Sequence, residues 1–137
     1  MKLFLRFFVP IHVLIFRLTS GRLLGRFELP VLLLTTKGRR SGKRRTAALL
    51  YYEDDDALLV IASLGGAPTS PAWYHNLVAN PAVEVQTRAG RRPMRAEPLA
   101  GDDRHSKFER IKAAAPRYAE YEARTTREIP VVALREA

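Results

Sequence analysis

From about residue 29 onward the chain alternates short apolar runs with compact polar breaks, the texture of strands and turns rather than of long helices. Leu29–Thr36 reads as a buried strand, and Thr46–Tyr52 as a second. Leu58–Ser63 is a third, reached through Asp54-Asp55-Asp56, a polar turn between two strands, and ended by Gly65-Gly66. A short helix follows over AWYHNLVAN, with Ser70 as its N-cap and Pro71 as its first residue; Asn80-Pro81 stops it. Ala82–Arg88 places Val83, Val85 and Thr87 on one face, a half-buried strand. Gly90 turns it into Arg92–Leu99, where Met94 and Ala96 alternate with Arg95 and Glu97. Asp102–Ala114 is helical with an acidic first turn, a second short helix runs from Pro116 through Tyr121, and Ile129–Leu134 is the last strand. Six short strands with one or two inserted helices predict a closed or partly open antiparallel barrel rather than a doubly wound sheet.

Residues 1–27 differ in kind. An uncharged stretch from Phe7 to Phe16, bounded by Arg6 and Arg17, is too short for a bilayer span, which needs about 20 apolar residues. No small-residue cleavage site follows it; Arg17, Arg22 and Arg26 do. A basic helix of this kind fits an interfacial element on anionic lipid, and equally a helix packed on its own domain or on a second copy of the chain. The expected organisation is a basic, apolar helical segment over residues 1–27 and a barrel domain over residues 28–137.

At 137 residues one compact domain is expected to bury roughly two-thirds of its unfolded surface, enough for a core without staples. The chain has no cysteine, which excludes disulfides and thiolate chemistry and is compatible with the cytoplasm. His12, His75 and His105 are scattered, so no metal site is expected. Charge is strongly asymmetric. Residues 1–45 carry eleven Lys and Arg against the single acid Glu28, whereas the remainder is close to neutral. That asymmetry points to an anionic ligand or an anionic membrane face.

Much of the charge sits in Lys37–Arg45, KGRRSGKRR, directly after the first strand. Glycines allow a tight turn with amides close to a ligand, and arginines add planar donors matched to phosphate or carboxylate oxygens. The spacing is not that of a P-loop. Taken alone, the stretch fits a small-anion site, a solvated basic hairpin tip, or a nucleic-acid patch.

Three stretches in order, LLLTTKGRRSGKRRT, VIASLGGAPTSPAWYHNLVANPAVEVQ and PRYAEYEARTTREIPVVAL, resemble the deazaflavin-dependent nitroreductase family. These are quinone reductase-like oxidoreductases that use coenzyme F420, and the resemblance runs from about Ile11 to Leu134. It implies an α+β, mainly β fold: a split β-barrel of about six antiparallel strands, of the flavin-reductase and pyridoxamine-oxidase type, with an N-terminal helix and short inserted helices. F420 joins a deazaflavin ring to a phosphate and a polyglutamate tail. The resemblance assigns the anionic end to Arg39, Arg40, Ser41, Gly42 and Arg45, with Lys37, Lys43 and Arg44 adding charge. It assigns the ring to Ala62, Ser63, Leu64, Gly65 and Gly66 and to Ala72, Trp73 and Asn76. Leu64 stands where close relatives often have lysine. Tyr118 and Tyr121, three apart on one helical face, match tyrosines over the ring, and a third aromatic position falls on Ala115.

The implied reaction passes a hydride from reduced F420 to a quinone, nitro compound or activated enone. Ser63, Tyr118 and Tyr121 are the implied catalytic side chains, stabilising or protonating the product. Loss of the third aromatic speaks against nitroimidazole-type substrates. Peripheral contact at the inner face of the plasma membrane through residues 1–27, and a homodimer, are compatible with this reading. A flavin mononucleotide-binding split barrel is the main alternative. A nucleic-acid-binding barrel is disfavoured, because no aromatics interleave with the basic run.

Overall fold

The computed structural model describes residues 29–137; the helical segment expected over residues 1–27 lies outside them. Seven strands form one antiparallel sheet: β1 (Val31–Lys37), β2 (Arg44–Leu50), β3 (Tyr52–Asp54), β4 (Ala57–Ile61), β5 (Ala82–Thr87), β6 (Gly90–Pro98) and β7 (Val131–Glu136). Their spatial order is β2-β1-β5-β6-β7-β4-β3. The two edge strands, β2 and β3, are joined in sequence by Tyr51 alone. Strands that are chain neighbours but lie at opposite ends of the sheet force it to curl back on itself, giving a half-barrel. At the crossing, the Tyr51 amide donates to the Pro30 carbonyl at 2.9 Å. This crossing is why the single strand expected over Thr46–Tyr52 divides in two and the count is seven rather than six.

Side-chain alternation divides most of the core into an interior and an outer cluster, with Val31, Leu33 and Leu50 forming a small third one. Leu32 and Leu34 of β1, Leu58 and Val60 of β4, Val83 and Val85 of β5, Met94 and Ala96 of β6, and Val132 and Leu134 of β7 fill the interior. On the outer face, Leu59, Ile61, Val131 and Ala133 pack against helix α2 (Gly101–Ala114) through Phe108 and Ile111. β4 and β7 are therefore covered on both sides, which is why they read as unbroken apolar runs. Phe108 is 1% exposed, and removing its ring should cost about 3–5 kcal/mol. Arg104, one turn earlier, lies with its guanidinium 4.7 Å from the Phe108 ring centroid and donates to the Ile129 carbonyl at 2.6 and 3.2 Å.

The acidic turn lies between β3 and β4 as expected, and it has a further use. Asp54 receives Lys107 at 2.5 Å and Arg110 at 3.2 Å, pinning α2 to the barrel. Two shorter helices complete the described residues: α1 (Ala72–Ala79), whose Leu77 enters the interior cluster, and α3 (Arg117–Ala123), whose Tyr118 and Tyr121 join the outer cluster beside α2. The cap of α1 departs from expectation. Pro71 occupies the N-cap position with no side-chain cap, and the helix starts at Ala72. The Ser70 hydroxyl instead accepts a hydrogen bond from the Arg127 guanidinium at 3.1 Å, a charged donor that outcompetes a helix amide.

Candidate active site

The β1–β2 pairing runs in register from Val31↔Leu50 to Lys37↔Arg44, so the hairpin loop is residues 38–43 and the cations gather at its tip. Gly38 closes the loop, accepting from the Gly42 amide at 2.8 Å and donating to the Lys43 carbonyl at 2.7 Å. A Cβ at Gly38 would lie 2.8 Å from Ser41 Oγ and 3.1 Å from the Lys43 carbonyl oxygen, so a side chain there would displace the serine hydroxyl. Gly42 has φ +72°, the left-handed region. Ser41 Oγ accepts from the Lys43 amide at 3.1 Å, which leaves its O–H as a donor.

Against this loop packs the first turn of α1, and between them lies a cleft of about 450 Å³. Arg39, Arg40, Ser41 and Arg45 line one wall; Ala72, Trp73 and Asn76 line the other. Strand alternation sorts the two adjacent arginines of β2. Arg45 faces the cleft, while Arg44 points away and pairs with Glu84 at 3.0 Å. Lys37, the cross-strand partner of Arg44, lines neither this cleft nor its neighbour. Nor does Gly42, whose part is to shape the loop.

A second cleft of about 250 Å³ opens on the other side of Trp73, which lines both. Its walls are Ser63, Leu64 and Gly65 on one side and Tyr118 and Tyr121 of α3 on the other. The two tyrosine rings meet edge to face, with centroids 5.7 Å apart and planes at 88°. Ala48, Leu49 and Leu50 of β2, with Ile61 and Pro71, add an apolar floor.

Leu64, Gly65 and Gly66 form a short left-handed turn in which all three have positive φ, at +45°, +64° and +85°. The two glycines differ in use. Nothing lies within 4 Å of a Cβ built at Gly65, which faces open space. A Cβ at Gly66 would lie 2.6 Å from the Tyr121 carbonyl oxygen, so this glycine admits α3 rather than a ligand. Gly66 and Ala62 line neither cleft; Ala62 is fully buried and its carbonyl accepts from Arg127. Ala115 is also buried, at the α2–α3 junction, so in this chain it does not frame an entrance over the second cleft.

Asn76 borders the first cleft, but its polar atoms serve the protein. Its Oδ1 accepts from the Arg39 amide at 3.0 Å, and its Nδ2 donates to Thr36 Oγ1 at 3.2 Å. Thr46, the β2 floor and Arg127 are not marked as site residues by the sequence pattern. For Thr46 and Leu49–Leu50 the signal was their place on the strand that carries Arg45; for Arg127 there was none.

Joined at Trp73, the two clefts form an elongated site with a cationic end and an aromatic end. Such a site suits a ligand with an anionic tail and a flat ring. A model of the F420H(2)-dependent quinone reductase family matches residues 9–136. The chain is 43% identical over 129 residues to an F420H(2)-dependent quinone reductase of Mycobacterium tuberculosis, covering 90% of this chain and 87% of that protein. Its fold is similar to the solved structure of an F420-H2 dependent reductase, with 40% identity, a TM-score of 0.70, and coverage of 77% of this chain and 93% of that one. A second solved structure, described as a domain-swapped dimer, matches with the same identity and TM-score and covers 77% of this chain and 79% of that one. The chain therefore belongs to the F420H(2)-dependent quinone reductases, oxidoreductases with a split β-barrel, and coenzyme F420 rather than flavin mononucleotide is its cofactor.

Proposed function

We propose that the chain reduces quinones with F420H2 by holding the cofactor across both clefts, phosphate and glutamates on the hairpin loop and ring beyond Trp73. The observation that carries this reading is the position of Trp73, which lines a cationic cleft on one side and an aromatic one on the other. The donor set fits the cofactor's two ends: three guanidiniums and a serine hydroxyl for oxyanions, and tyrosines with an apolar floor for a planar ring.

When bound, the reduced deazaflavin supplies a two-electron hydride donor at its C5 carbon. The protein's own work is positioning and exclusion of water. Tyr118 and Tyr121 present an aromatic wall on which a planar acceptor stacks. A phenol of this pair, or the Ser63 hydroxyl, donates to the acceptor oxygen as negative charge develops there. Nitro compounds and activated enones are planar and electron-poor in the same way, and we assign them to the same wall as secondary acceptors.

The basic, apolar segment over residues 1–27 gives a soluble-phase cofactor access to a lipid-soluble quinone by holding the enzyme at an anionic membrane surface. Unchanged partitioning onto anionic liposomes after deletion of residues 1–20 would exclude that role. By analogy with the neighbour described as a domain-swapped dimer, a homodimer is the proposed assembly, tested by light scattering after size-exclusion chromatography.

The direct test is titration with F420 followed by Trp73 quenching, beside an Arg39→Ala/Arg40→Ala double variant, and then turnover of F420H2 with a menaquinone analogue. Tight binding lost in the double variant, with quinone-dependent oxidation in the wild type, is the expected result. Absence of binding by the folded wild type would overturn the reading.

A further inference from the structure

The left-handed turn at the second cleft is buttressed from behind by one side chain. Arg127 lies between α3 and β7, and its guanidinium reaches into the segment that follows β4, whose contacting residues are 57 to 65 positions earlier in sequence. Nε donates to the Ala67 carbonyl at 2.8 Å and Nη1 to Ser70 Oγ at 3.1 Å. Nη2 donates to the carbonyls of both Ala62 and Ser63, at 3.1 and 2.9 Å. One planar fork thus ties both ends of the segment that carries Ser63, Leu64 and Gly65.

The turn needs such a tie. Leu64 holds φ +45°, a region that side chains with a Cβ avoid, and the two residues after it are also left-handed. Its own backbone supplies only two bonds, Gly66 N–H to Ser63 O at 2.9 Å and Ala67 N–H to Leu64 O at 3.1 Å. Neither engages the amides of Ser63, Leu64 or Gly65, the residues that line the second cleft.

The carbonyls that Arg127 holds belong to the peptide groups whose N–H groups are those of Ser63 and Leu64. In a trans peptide the carbonyl and N–H point in opposite directions, and every peptide bond described here is trans. A cation on the carbonyl side therefore leaves the two N–H groups on the far side and polarises them as donors.

We propose that Arg127 is a positioning residue of the cofactor site: it locks the Ser63–Gly66 turn and strengthens the Ser63 and Leu64 amides as donors to the carbonyl edge of the bound ring. The second half of this rests on the cofactor placement argued above; the first half does not.

The experiment compares wild type, Arg127→Ala and Arg127→Lys. In the cofactor-free proteins, amide hydrogen exchange is read at Gly66 and Ala67, with Val85 in the barrel as reference. Arg127→Ala is expected to lose protection at Gly66 and Ala67 by about tenfold or more while Val85 is unchanged, and Arg127→Lys, which keeps the charge but not the fork, to fall between. Wild-type protection at those amides in Arg127→Ala overturns the proposal whatever the cofactor does. The second readout is F420 itself. The absorbance band of the bound ring is expected to return toward its free position in Arg127→Ala, with affinity about tenfold weaker. A band shift and affinity equal to wild type would overturn the donor role. If the wild-type protein fails to bind F420, the functional reading fails, and the exchange result still decides the structural role of Arg127. Should Arg127→Ala not fold, Arg127→Lys carries both readouts.

Discussion

Asn76 on α1 holds the backbone of Arg39 in the hairpin loop, with its side-chain oxygen 3.0 Å from the Arg39 amide. The same side chain donates to Thr36 Oγ1, and both Asn76 and Thr36 are buried. One amide thus couples the helix that carries Trp73 to the loop that carries the arginines. The two ends of the elongated site are set relative to one another by this link rather than by their separate strands.

Replacing Asn76 by alanine should leave the Thr36 hydroxyl and the Arg39 amide without their partner. A lost buried hydrogen bond of this kind costs about 1–3 kcal/mol, read as a lower urea midpoint at unchanged slope. F420 affinity should fall as well, because the loop no longer has a fixed position against Trp73. Wild-type affinity in a destabilised Asn76→Ala protein would show that the link serves the fold alone.

Arg44 and Arg45 are neighbours of identical charge, yet the geometry predicts different effects. Arg45 lines the first cleft and Arg44 pairs with Glu84. Arg45→Ala should weaken F420 binding about tenfold, the scale of one charge-assisted hydrogen bond, whereas Arg44→Ala should change it by less than about twofold. Binding to the wild type should weaken as salt rises, since these side chains are exposed. Isothermal titration at two ionic strengths separates the cases, and equal losses for the two variants would contradict the assignment of faces.

Much of this arrangement is legible from residue pattern. Val83, Val85 and Thr87 alternate with Glu84 and Gln86 and face inward as that period requires. The runs at β4 and β7 announce burial on both faces. What pattern does not carry is contact between distant segments. Tyr51 sits inside an apolar stretch that looks like one strand, and only closure of the sheet makes it a crossing point. Asn76, which the resemblance assigns to the ring, instead spends its polar atoms on Thr36 and Arg39, brought to it from forty and thirty-seven residues away. Gly65 and Gly66 look equivalent in sequence; the approach of α3 makes them different.

That difference is open to a paired test. Gly65→Ala meets no neighbour, so its cost is the left-handed backbone alone, about 1–2 kcal/mol. Gly66→Ala bears the same backbone cost and also drives a methyl to 2.6 Å from the Tyr121 carbonyl and 2.9 Å from Arg124 Cβ. About 3 kcal/mol or more is expected, with displacement of α3 and its tyrosines. Thermal melts rank the two variants, and quinone turnover of Gly66→Ala should fall further than stability alone explains. Equal melting temperatures would mean that α3 yields without cost.

The last prediction concerns pH and the attachment of α3. Lys112 on α2 lies 2.8 Å from Glu122 on α3 and 2.6 Å from Glu109. Hydrogen bonds to Glu109 and then Glu122 raise the Lys112 pKa above its ordinary 10.5, while the bond to Lys112 lowers that of Glu109. A raised folded-state pKa gives stability that is complete below the unfolded value and is lost as pH climbs through the folded one. The lowered Glu109 pKa gives stability present above the ordinary carboxylate range and lost as pH falls through the folded value. The tie should therefore hold across neutral pH and fail at both extremes. Burial, and secondarily the charge of Glu53, raise the pKa of Tyr51 above 10.0, which adds a second alkaline loss of the same sign. Lys112→Met should be less stable than wild type at pH 7, and the gap should narrow as pH climbs through the raised pKa of Lys112. Tyr51→Phe should instead flatten the alkaline limb while leaving the acid limb unchanged. Urea midpoints across the acid and alkaline limbs measure all three proteins, and a Lys112→Met deficit that does not change anywhere along the alkaline limb would show that the charge of Lys112 is not what holds α3 in place.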